Sequence, residues 1–431
     1  MADSRPQKPP TGAVLRAYLL AVRAFGPCLP TYLRRRLKRG REDPARWHEK
    51  LGEAGLPRPD GPLVWLHAVG LGEVMALRGL IAAMGRARPD LSFLVTSSAL
   101  SSAVAFAGNT PPRTQHQFLA LDAPGPVARF LDHWRPDLSV WAEQDLWPGL
   151  VVAAHRRGIP LALINARMNA RAFAARRRFR SLYSDLYARF AHISAQDAGT
   201  AQHLQHLGAA SVTVTGSLKA GAGPLADQPD MRVSLAAAFD GRRLWCAASS
   251  HLADETVALA AQRVLFAQDL RHLLIIAPRD PARRDAIVSA CADTELKVAL
   301  RSTGVLPATT DAVYLADTYG DMGLWYRLCP AALVGGALGD TGGHNPWEAA
   351  YLGSSVLHGP NVANFTDDYA ALHAAGAATE ISDATGLVGA LQNPGLADKA
   401  GRAKALAERS MAEMDAQCAR LLALLPKGTH G

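Results

Sequence analysis

The chain has 431 residues, of which 49% are hydrophobic and 19% are charged, and its formal net charge is +8. This is an ordinary globular composition, and the length exceeds what one hydrophobic core usually serves, so we expect two large domains. The five cysteines are scattered, with neither a CxxC pair nor the spacing of metal ligands. That distribution argues against a disulfide framework or a zinc site and fits a reducing compartment.

The first predicted element is an apolar helix over Ala13–Leu29, "AVLRAYLLAVRAFGPCL". Arg16 and Arg23 interrupt it, and Pro27 lies near its end. A membrane-spanning helix needs about 20 predominantly apolar residues, so this segment is not predicted to span. It does not resemble a convincing secretory signal. Its pattern is typical of an amphipathic helix that lies in the membrane interface.

Positive charge is concentrated in two clusters in the first half of the chain. The first basic cluster is Arg34, Arg35, Arg36, Lys38, Arg39 and Arg41, and the second basic cluster is Arg171, Arg176, Arg177, Arg178 and Arg180. Such clusters attract nucleic acid or an anionic membrane surface, or they form a solvated basic face. No nucleic-acid reader motif or interleaved aromatic stack accompanies them, so we expect an anionic membrane surface and no nucleic acid as partner.

After residue 60, short apolar runs alternate with helical stretches such as Val74–Arg86 and Leu146–Arg157, which predicts buried parallel strands in βαβ units. The predicted strands are Leu63–Val69, Ser92–Ser98, Phe118–Asp122, Leu138–Ala142, Pro160–Asn165, His192–Ala195, Ser211–Thr215, Leu244–Ala248, Leu273–Ala277, Leu296–Leu300, Val313–Ala316, Ala331–Gly335 and Ser355–Leu357. Helices are predicted over Leu396–Leu424.

The alternation breaks at Gly216–Asp230, a stretch rich in Gly, Pro and Asp. We therefore expect a membrane-associating segment at 1–50, a first domain at 51–216, a linker at 217–230 and a second domain at 231–431. The first predicted strand is not followed by GxGxxG, and no GxxxxGK[ST] is present. Two Rossmann-like domains without those loops predict an α/β fold of the GT-B glycosyltransferase class, with the domains facing across a cleft. In that class we expect the first domain to bind the acceptor and the second to bind the nucleotide sugar.

Two carboxylate motifs follow predicted strands of the first domain. Glu73 in "HAVGLGEV" suits a general base at the mouth of a cleft, and its alternative is an acid stabilised by the dipole of a helix N-terminus. Glu143 and Asp145 in "WAEQDLWPG" are expected to point the same way from an extended segment, where they would share a proton or bind sugar hydroxyls. The alternative for Asp145 is capping of the helix that begins near Leu146.

Two further motifs follow predicted strands of the second domain. Arg279 in "IIAPRDPARR" is placed to grip a phosphate, and its alternative is an exposed surface arginine. In "GGALGDTGGHNPWEAA", Gly335–Ala350, glycines permit close approach and positive φ, and Pro346 favours a helix start. Such a turn offers free N–H groups to an anion, and Glu348 one helical turn after His344 suits ribose hydroxyls. The alternative is a well-capped turn.

Together these motifs resemble the 3-deoxy-D-manno-octulosonic acid (Kdo) transferases of lipopolysaccharide synthesis. The resemblance covers nearly the whole chain. It runs in the family's order through "RPDLSVWAEQDLWPGLVVAAHRRGIPLALINARMNAR", "VTVTGSLK", "DTYGDMGLWY", "VGGALGDTGGHNPWEAA" and "GPNVANFTD". It implies a GT-B enzyme bound peripherally at the cytoplasmic face of the bacterial inner membrane. Such an enzyme transfers Kdo from CMP-Kdo to a lipid A precursor with inversion.

The resemblance also implies the site residues. The general base corresponds to Glu73, and Glu143 and Asp145 are placed with it in the catalytic group. The donor-binding residues implied are Arg279, Gly336, Gly342, Gly343, His344, Asn345, Glu348 and Asn364. The acceptor-binding residues expected are Gly72, Arg167 and Arg171. No cofactor is expected, and no metal is expected in the chemical step.

Four positions depart from the family pattern. Gly70 stands where the family usually has Ser, and Asp145 is one methylene shorter than the family's second Glu. Asp280 replaces a His beside the expected phosphate, and Asp321 replaces a Glu. The departures leave three alternatives open: a GT-B transferase with another nucleotide sugar, a GT-B epimerase, or an inactive membrane-associated scaffold. The basic, apolar N-terminus argues against an epimerase, and the presence of Glu73, Arg279 and Glu348 argues against a scaffold.

Overall fold

Two parallel sheets organise the chain in the computed structural model, which describes residues 9, 11–107, 110–143, 145–218, 220 and 223–426. One compact unit comprises Met1–Ala222 and Ala412–Gly431, and the other comprises Gly223–Met411. Within the described ranges each unit holds one sheet of seven strands. This confirms the α/β class with two Rossmann-like domains that the sequence predicts for a GT-B protein.

The first sheet has the order β3-β2-β1-β4-β5-β6-β7, and its paired strands are parallel. This is the Rossmann order with one strand added, and the order reverses between β1 and β4. The strands are β1 (Leu63–His67), β2 (Ser92–Ser97), β3 (Thr114–Phe118), β4 (Leu138–Ala142), β5 (Leu161–Ala166), β6 (His192–Ala195) and β7 (Thr213–Val214). The helices are α1 (Ala13–Phe25), α2 (Leu29–Lys38), α3 (Leu71–Ala87), α4 (Leu100–Ala107), α5 (Pro124–Trp134), α6 (Pro148–Arg156), α7 (Ala170–Arg177), α8 (Arg180–Tyr187) and α9 (Ala198–His206).

The second sheet has the order β10-β11-β9-β8-β12-β13-β14, again parallel, and the order reverses between β8 and β12. The strands are β8 (Arg243–Ser250), β9 (His272–Pro278), β10 (Val298–Leu300), β11 (Val313–Leu315), β12 (Ala331–Val334), β13 (Ser355–His358) and β14 (Ala378–Glu380). The helices are α10 (Pro229–Ala238), α11 (Leu252–Gln268), α12 (Arg284–Asp293), α13 (Met322–Leu328), α14 (Trp347–Tyr351), α15 (Thr366–Ala374), α16 (Ala384–Leu391) and α17 (Leu396–Leu422). Single 3-10 turns lie at Gly26–Cys28, Trp47–Leu51, Pro281–Arg283 and Arg301–Thr303.

The central strands β1, β4, β9 and β12 are buried along their whole length, because helices cover both faces of each sheet. In the first unit one core forms with α5, α6 and α8, and the core on the other face forms with α3. This arrangement leaves the loops after the carboxyl ends of the central strands as the place for ligands.

One predicted strand lies elsewhere in the structure. Residues Phe118–Asp122 were expected as a strand, whereas β3 ends at Phe118 and begins at Thr114. The strand contains His116, whose Nε2 lies 2.9 Å from the hydroxyl of Ser97 on β2 and whose Nδ1 lies 3.1 Å from Arg46. Polar residues can occupy this edge strand because such partners satisfy them, so its apolar signal is weak.

The structure also divides the chain differently from the domain expectation. The end of α17 contributes Met414, Cys418 and Leu421 to a core of the first unit, so residues from 412 onward leave the expected second domain 231–431. The N-terminal segment is not a separate body either, because Leu15 is fully buried in the other core of the first unit. The boundary at residue 222 falls inside the expected linker 217–230, of which residues 219, 221 and 222 lie outside the described part.

Candidate active site

The carboxylate of Glu73 folds back onto the start of its own helix. Its Oε2 accepts hydrogen bonds from the backbone N–H groups of Val69 at 3.0 Å and Gly70 at 3.1 Å, directly before α3. This is a helix-capping arrangement, and it places the acid at a helix N-terminus, as in the alternative to a general base. Among the described residues Oε1 takes no hydrogen bond, so one carboxylate oxygen remains for an acceptor hydroxyl.

Asp145 follows β4, the strand beside β1, and its carboxylate faces His67. The distance from His67 Nε2 to Asp145 Oδ2 is 3.7 Å, and Trp147 Nε1 donates to the same Oδ2 at 3.0 Å. Burial raises the pKa of Asp145, but His67, Trp147 and Arg176 more than offset this and leave the pKa below its ordinary value. The side chain is therefore a carboxylate at neutral pH.

Capping by Asp145 is contradicted by the structure. The helix α6 begins at Pro148, and the N–H groups of Gly149 and Leu150 donate to Asp122 at 2.8 and 2.7 Å. The expected extended segment is also wrong, since Glu143 has a φ of 61° in the left-handed region. The backbone turns at Glu143, so the two side chains do not leave an extended strand together.

His67 itself ends β1 and is buried, with 1% of its surface exposed. Its Nδ1 lies 3.1 Å from the carbonyl oxygen and 3.0 Å from the hydroxyl of Thr96, and its Nε2 faces Asp145. Sequence reasoning passed over this residue, although it stands in the same "HAVGLGEV" motif as Glu73. Burial of a strand-end histidine beside a carboxylate is visible only when β1 and β4 are seen as neighbours.

The residues expected to bind the acceptor lie at the same edge of the first sheet. Gly72 is in the first turn of α3 after β1, and Arg167 follows β5, the neighbour of β4. Arg171 is exposed on α7, whose N-terminus is capped by Asn169 through the N–H of Ala172 at 2.9 Å. The edge therefore carries both acidic and basic groups.

In the second unit, the Gly-rich turn after β12 is held by conformations that suit glycine. Gly336, Gly342 and Gly343 have φ values of 78°, 90° and 78°. A Cβ on Gly342 would lie 2.9 Å from the side-chain nitrogen of Asn364, which leaves no room for it. The segment is therefore a tight loop, as the sequence predicts.

Asn364 fastens this loop from the segment after β13. Its side-chain amide donates to the carbonyl oxygen of Thr341 at 2.8 Å, and its backbone N–H donates to Gly342 at 2.9 Å. These contacts make Asn364 a positioning residue for the Gly-rich turn. A direct contact between Asn364 and the donor stays a prediction.

His344 pairs with His251, which follows β8. Their Nε2 atoms lie 2.8 Å apart, and the two rings stack with their centroids 5.1 Å apart. Burial, then His251 and Arg279, lowers the pKa of His344 to about 4. His344 is therefore neutral at physiological pH, and at most one proton lies between the two Nε2 atoms, since two N–H groups cannot point at each other.

The charge of Arg279 influences the pKa values of both His344 and Glu348. Burial raises the pKa of Glu348 above its ordinary value, and the amide of Asn345 and the charge of Arg279 offset this only in part. Arg279 follows β9 and is exposed, with its charge felt by both His344 and Glu348. Its exposure agrees with the surface-arginine alternative, but its neighbours are the residues of the Gly-rich turn.

The helix after the turn differs from the expectation in length and start. Pro346 caps α14 rather than opening it, and α14 has only five residues. A helix this short has a weak dipole, so an anion here would depend on loop N–H groups and Arg279 rather than on a helix N-terminus. After β9, Asp280 caps the 3-10 turn Pro281–Arg283 by accepting from the N–H of Ala282 at 3.0 Å.

Two residues that support the turn were missed at the sequence level. Asp254 is buried and accepts hydrogen bonds from His251 N–H at 2.9 Å and Gly336 N–H at 2.7 Å. The phenol of Tyr369 donates to the carbonyl oxygen of His344 at 3.1 Å. The run His251–Asp254, "HLAD", has the spacing of a helix-capping box and could have indicated Asp254.

Comparison with known proteins identifies the family of this chain. A family model described as 3-deoxy-D-manno-octulosonic-acid transferase (kdotransferase) matches residues 45–222. The 3-deoxy-D-manno-octulosonic acid transferase of Bordetella pertussis is 32% identical over 410 residues, which is 92% of this chain and 94% of that protein. The chain belongs to the 3-deoxy-D-manno-octulosonic acid transferase family.

Other similar proteins include a probable mitochondrial 3-deoxy-D-manno-octulosonic acid transferase of Arabidopsis thaliana. It is 32% identical over 370 residues, covering 82% of this chain and 81% of that protein. Among crystal structures, the C-terminal CMP-Kdo binding domain of WaaA from Acinetobacter baumannii is 28% identical. The match covers 45% of this chain and 98% of that chain, with a TM-score of 0.35. Membership of the Kdo transferase family confirms the resemblance drawn from the sequence motifs.

Proposed function

We propose that this Kdo transferase family member moves Kdo from CMP-Kdo to a lipid A precursor, with inversion. The observation that carries the proposal is the cluster at the carboxyl ends of β8, β9, β12 and β13. There a tight Gly-rich turn, the His251–His344 pair, Arg279 and Glu348 converge at the topological switch point of the second sheet. Such a place suits a nucleotide with a single phosphate.

In the reaction, a hydroxyl oxygen of the acceptor attacks the anomeric carbon of Kdo while the bond from that carbon to the phosphate oxygen breaks. CMP leaves with the bonding electrons, and the hydroxyl proton passes to a base. Glu73 is assigned as this base through Oε1, since its Oε2 is held by two backbone N–H groups. The same two bonds fix the carboxylate in one orientation, which a general base requires.

The donor side of the proposal assigns one task to each group. Arg279 offsets the negative charge of the phosphate, and the N–H group of Gly342 donates to a phosphate oxygen, which can approach closely because no Cβ intervenes. The N–H groups of Gly343 and His344 donate within the turn, to the carbonyl oxygens of Gly336 and Gly335. Glu348 accepts hydrogen bonds from ribose hydroxyls. His344, kept neutral by its low pKa, donates or accepts a hydrogen bond without adding charge.

On the acceptor side, Arg167 and Arg171 are assigned to the phosphate of the lipid A precursor, and Gly72 to close approach of its sugar. Glu143 and Asp145 are assigned to the sugar hydroxyls near the base. The low pKa of Asp145 keeps it an acceptor of hydrogen bonds, in line with that task.

Association with an anionic membrane is supported by the surface of the first helices. By length and composition alone, Ala13–Lys38 is long and apolar enough to cross a membrane, a test that signal sequences also pass. Leu15 docks α1 on the domain, while Leu20 and Phe25 are 66% and 68% exposed. A docked helix with an exposed apolar face and arginines beyond it fits a helix lying on the cytoplasmic leaflet of the inner membrane.

The second basic cluster lies close to that helix. The helix α8, which begins at Arg180, packs against α1, and Phe179 before it is 55% exposed among arginines. Between α1, α5 and α6 lies a groove of about 760 Å³ whose walls include Leu19 and Val127 and whose rim carries Arg16, Arg23, Arg156 and Arg157. An apolar groove rimmed by arginines suits an acyl chain with a phosphate above it.

One experiment tests the proposed function directly. The full chain is incubated with CMP-Kdo and tetra-acylated lipid A precursor, and the products are weighed by mass spectrometry. The expected result is a lipid heavier by one or more Kdo residues together with released CMP. A parallel reaction with other nucleotide sugars is the matched control. Transfer from one of those, with none from CMP-Kdo, would reject the donor, and no transfer from any would reject the enzyme.

A further inference from the structure

A second histidine pair lies next to the candidate donor site and consists of residues given no role above. The Nε2 atoms of His358, at the end of β13, and His373, on α15, lie 2.8 Å apart. Glu380, at the end of β14, is the register partner of His358 on the neighbouring parallel strand. Side chains at paired positions leave a sheet on the same face, so both reach the space under α15.

The three groups are close enough to share one ion. His358 Nε2, His373 Nε2 and a carboxylate oxygen of Glu380 all lie within 4.8 Å of one another. Two nitrogens bound tetrahedrally to a metal at about 2.0 Å lie about 3.3 Å apart, so the pair needs to open by only about 0.5 Å. His358 is buried, while His373 and Glu380 are exposed and can make that adjustment.

The tautomer of His358 is set for a ligand. Its Nδ1 lies 2.7 Å from the carbonyl oxygen of Gly359, to which it must donate its proton. Its Nε2 therefore carries a lone pair directed at His373. Metal-binding histidines in proteins have this arrangement, with the second nitrogen donating to a backbone carbonyl or carboxylate.

We propose that His358, His373 and Glu380 bind one divalent transition-metal ion of the Zn²⁺ class. Two imidazoles and one carboxylate favour Zn²⁺, Co²⁺ or Ni²⁺ over Mg²⁺ and Ca²⁺, which prefer oxygen ligands alone. Three protein ligands leave the fourth position to water, so the ion is exchangeable rather than permanently enclosed. The pairing of β13 with β14 brings His358 and Glu380 together, and α15 places His373 beside them.

The ion would also stiffen the donor site, a consequence that rests on the proposed function. His358 directly precedes the segment Gly359–Asn364, and Asn364 fastens the Gly-rich turn at Gly342. The ring of His358 packs on Tyr369 at 4.3 Å, and the Tyr369 hydroxyl holds His344. An ion that fixes His358 therefore fixes two supports of the turn.

The metal-free full chain is titrated with Co²⁺, and binding is monitored by visible absorption. A second titration uses Zn²⁺ in competition with a chromogenic chelator. One equivalent is expected, with a Co²⁺ spectrum that lacks the ultraviolet thiolate band. His373→Ala and Glu380→Gln should each lower the affinity by roughly tenfold or more. The exposed residues His206 and Glu408, changed to Ala and Gln, are the matched controls.

Other outcomes overturn the site. Unchanged affinity in His373→Ala would place the metal elsewhere, for example at the His251–His344 pair, and loss of binding in Cys28→Ser would place it at that exposed thiol.

Calorimetry with CMP then tests the coupling between the metal site and the donor site. Zn²⁺ should strengthen CMP binding in the wild type and not in His373→Ala. Equal CMP affinity with and without Zn²⁺ would remove the coupling. Absence of any CMP binding would count against the proposed donor, while the Co²⁺ titration would still decide the metal site.

Discussion

His251 and His344 meet with their Nε2 atoms 2.8 Å apart, joining the segment after β8 to the Gly-rich turn after β12. A single proton can lie between the two nitrogens, so protonation of both rings breaks the contact. The buried Asp254 binds the backbone of both segments as well, through His251 N–H and Gly336 N–H. The turn is thus tied to β8 by one pH-sensitive contact and by one carboxylate.

The first prediction concerns acid stability. The pKa of His344 is about 4 in the folded protein, against about 6.5 in an unfolded chain, so the unfolded state binds more protons between these values. The contribution of neutral His344 is full above pH 6.5 and is lost as the pH falls toward 4. His344→Asn should therefore lose less thermal stability than the wild type between about pH 7 and about pH 5. Equal losses would contradict this, and His206→Asn, an exposed histidine, is the control.

The second prediction separates the two tasks of Glu73. Glu73→Gln keeps one side-chain oxygen for the N–H groups of Val69 and Gly70 but cannot take a proton. Turnover should fall roughly 10²–10⁴-fold while CMP binding and the melting temperature change little, since this is the usual worth of a general base. If Glu73 only caps α3, turnover persists in Glu73→Gln, because the glutamine oxygen still accepts from the two N–H groups.

The third prediction concerns the donor site. Arg279→Ala and Glu348→Ala should each weaken CMP binding measured by calorimetry, the first through loss of a charge-assisted contact worth about 1.5–3 kcal/mol. Arg284→Ala, an exposed arginine next to Asp285 at the start of α12, is the control and should bind CMP normally. Unchanged affinity in both test variants would place the nucleotide elsewhere.

The fourth prediction uses two glycines of one loop. An alanine at Gly342 is strained at a φ of 90° and meets Asn364 at 2.9 Å, while at Gly339 the added Cβ meets only Ala253 at an ordinary 3.5 Å. Gly342→Ala should cost about 1–3 kcal/mol of stability and weaken CMP binding, because the turn must rearrange. Gly339→Ala should behave like the wild type. Equal CMP affinity in the two variants would exclude the turn from the donor site.

The fifth prediction concerns the membrane. Liposome sedimentation should require anionic lipid and weaken at high salt, because each Lys or Arg near the surface contributes about 1 kcal/mol and is screened. Removal of residues 1–41 should lower it sharply, but that change also takes the buried Leu15 and Leu33 out of the first unit. Leu20→Ser and Phe25→Ser are cleaner, since both side chains are exposed.

The matched control for these substitutions is Leu270→Ser, at a leucine that is 65% exposed in the second unit, against 66% for Leu20. It should sediment like the wild type. CMP binding should be unchanged in all three variants, because the proposed donor site lies in the other unit. Equal sedimentation with neutral and anionic liposomes would identify the two basic clusters as a solvated face.

Much of the fold follows from the sequence because buried parallel strands consist of continuous apolar runs. Leu138–Ala142 and His192–Ala195 have the predicted bounds, and the motifs identified the loop after β12 as the Gly-rich turn. The failures lie at sheet edges, at β3 and at the three-residue β14. There polar side chains are satisfied by neighbours distant in the chain, so local apolar periodicity does not mark the strand.

The sequence by itself therefore determined the fold class, the family and the identity of the residues at strand ends, because these depend on local pattern and motif order. Only the tertiary structure decided which strand ends are neighbours. It placed His67 beside Asp145, joined His358 to Glu380 across β13 and β14, and carried the end of α17 into the core of the first unit. Strand order and long-range packing set these contacts, and neither is encoded in the spacing of residues along the chain.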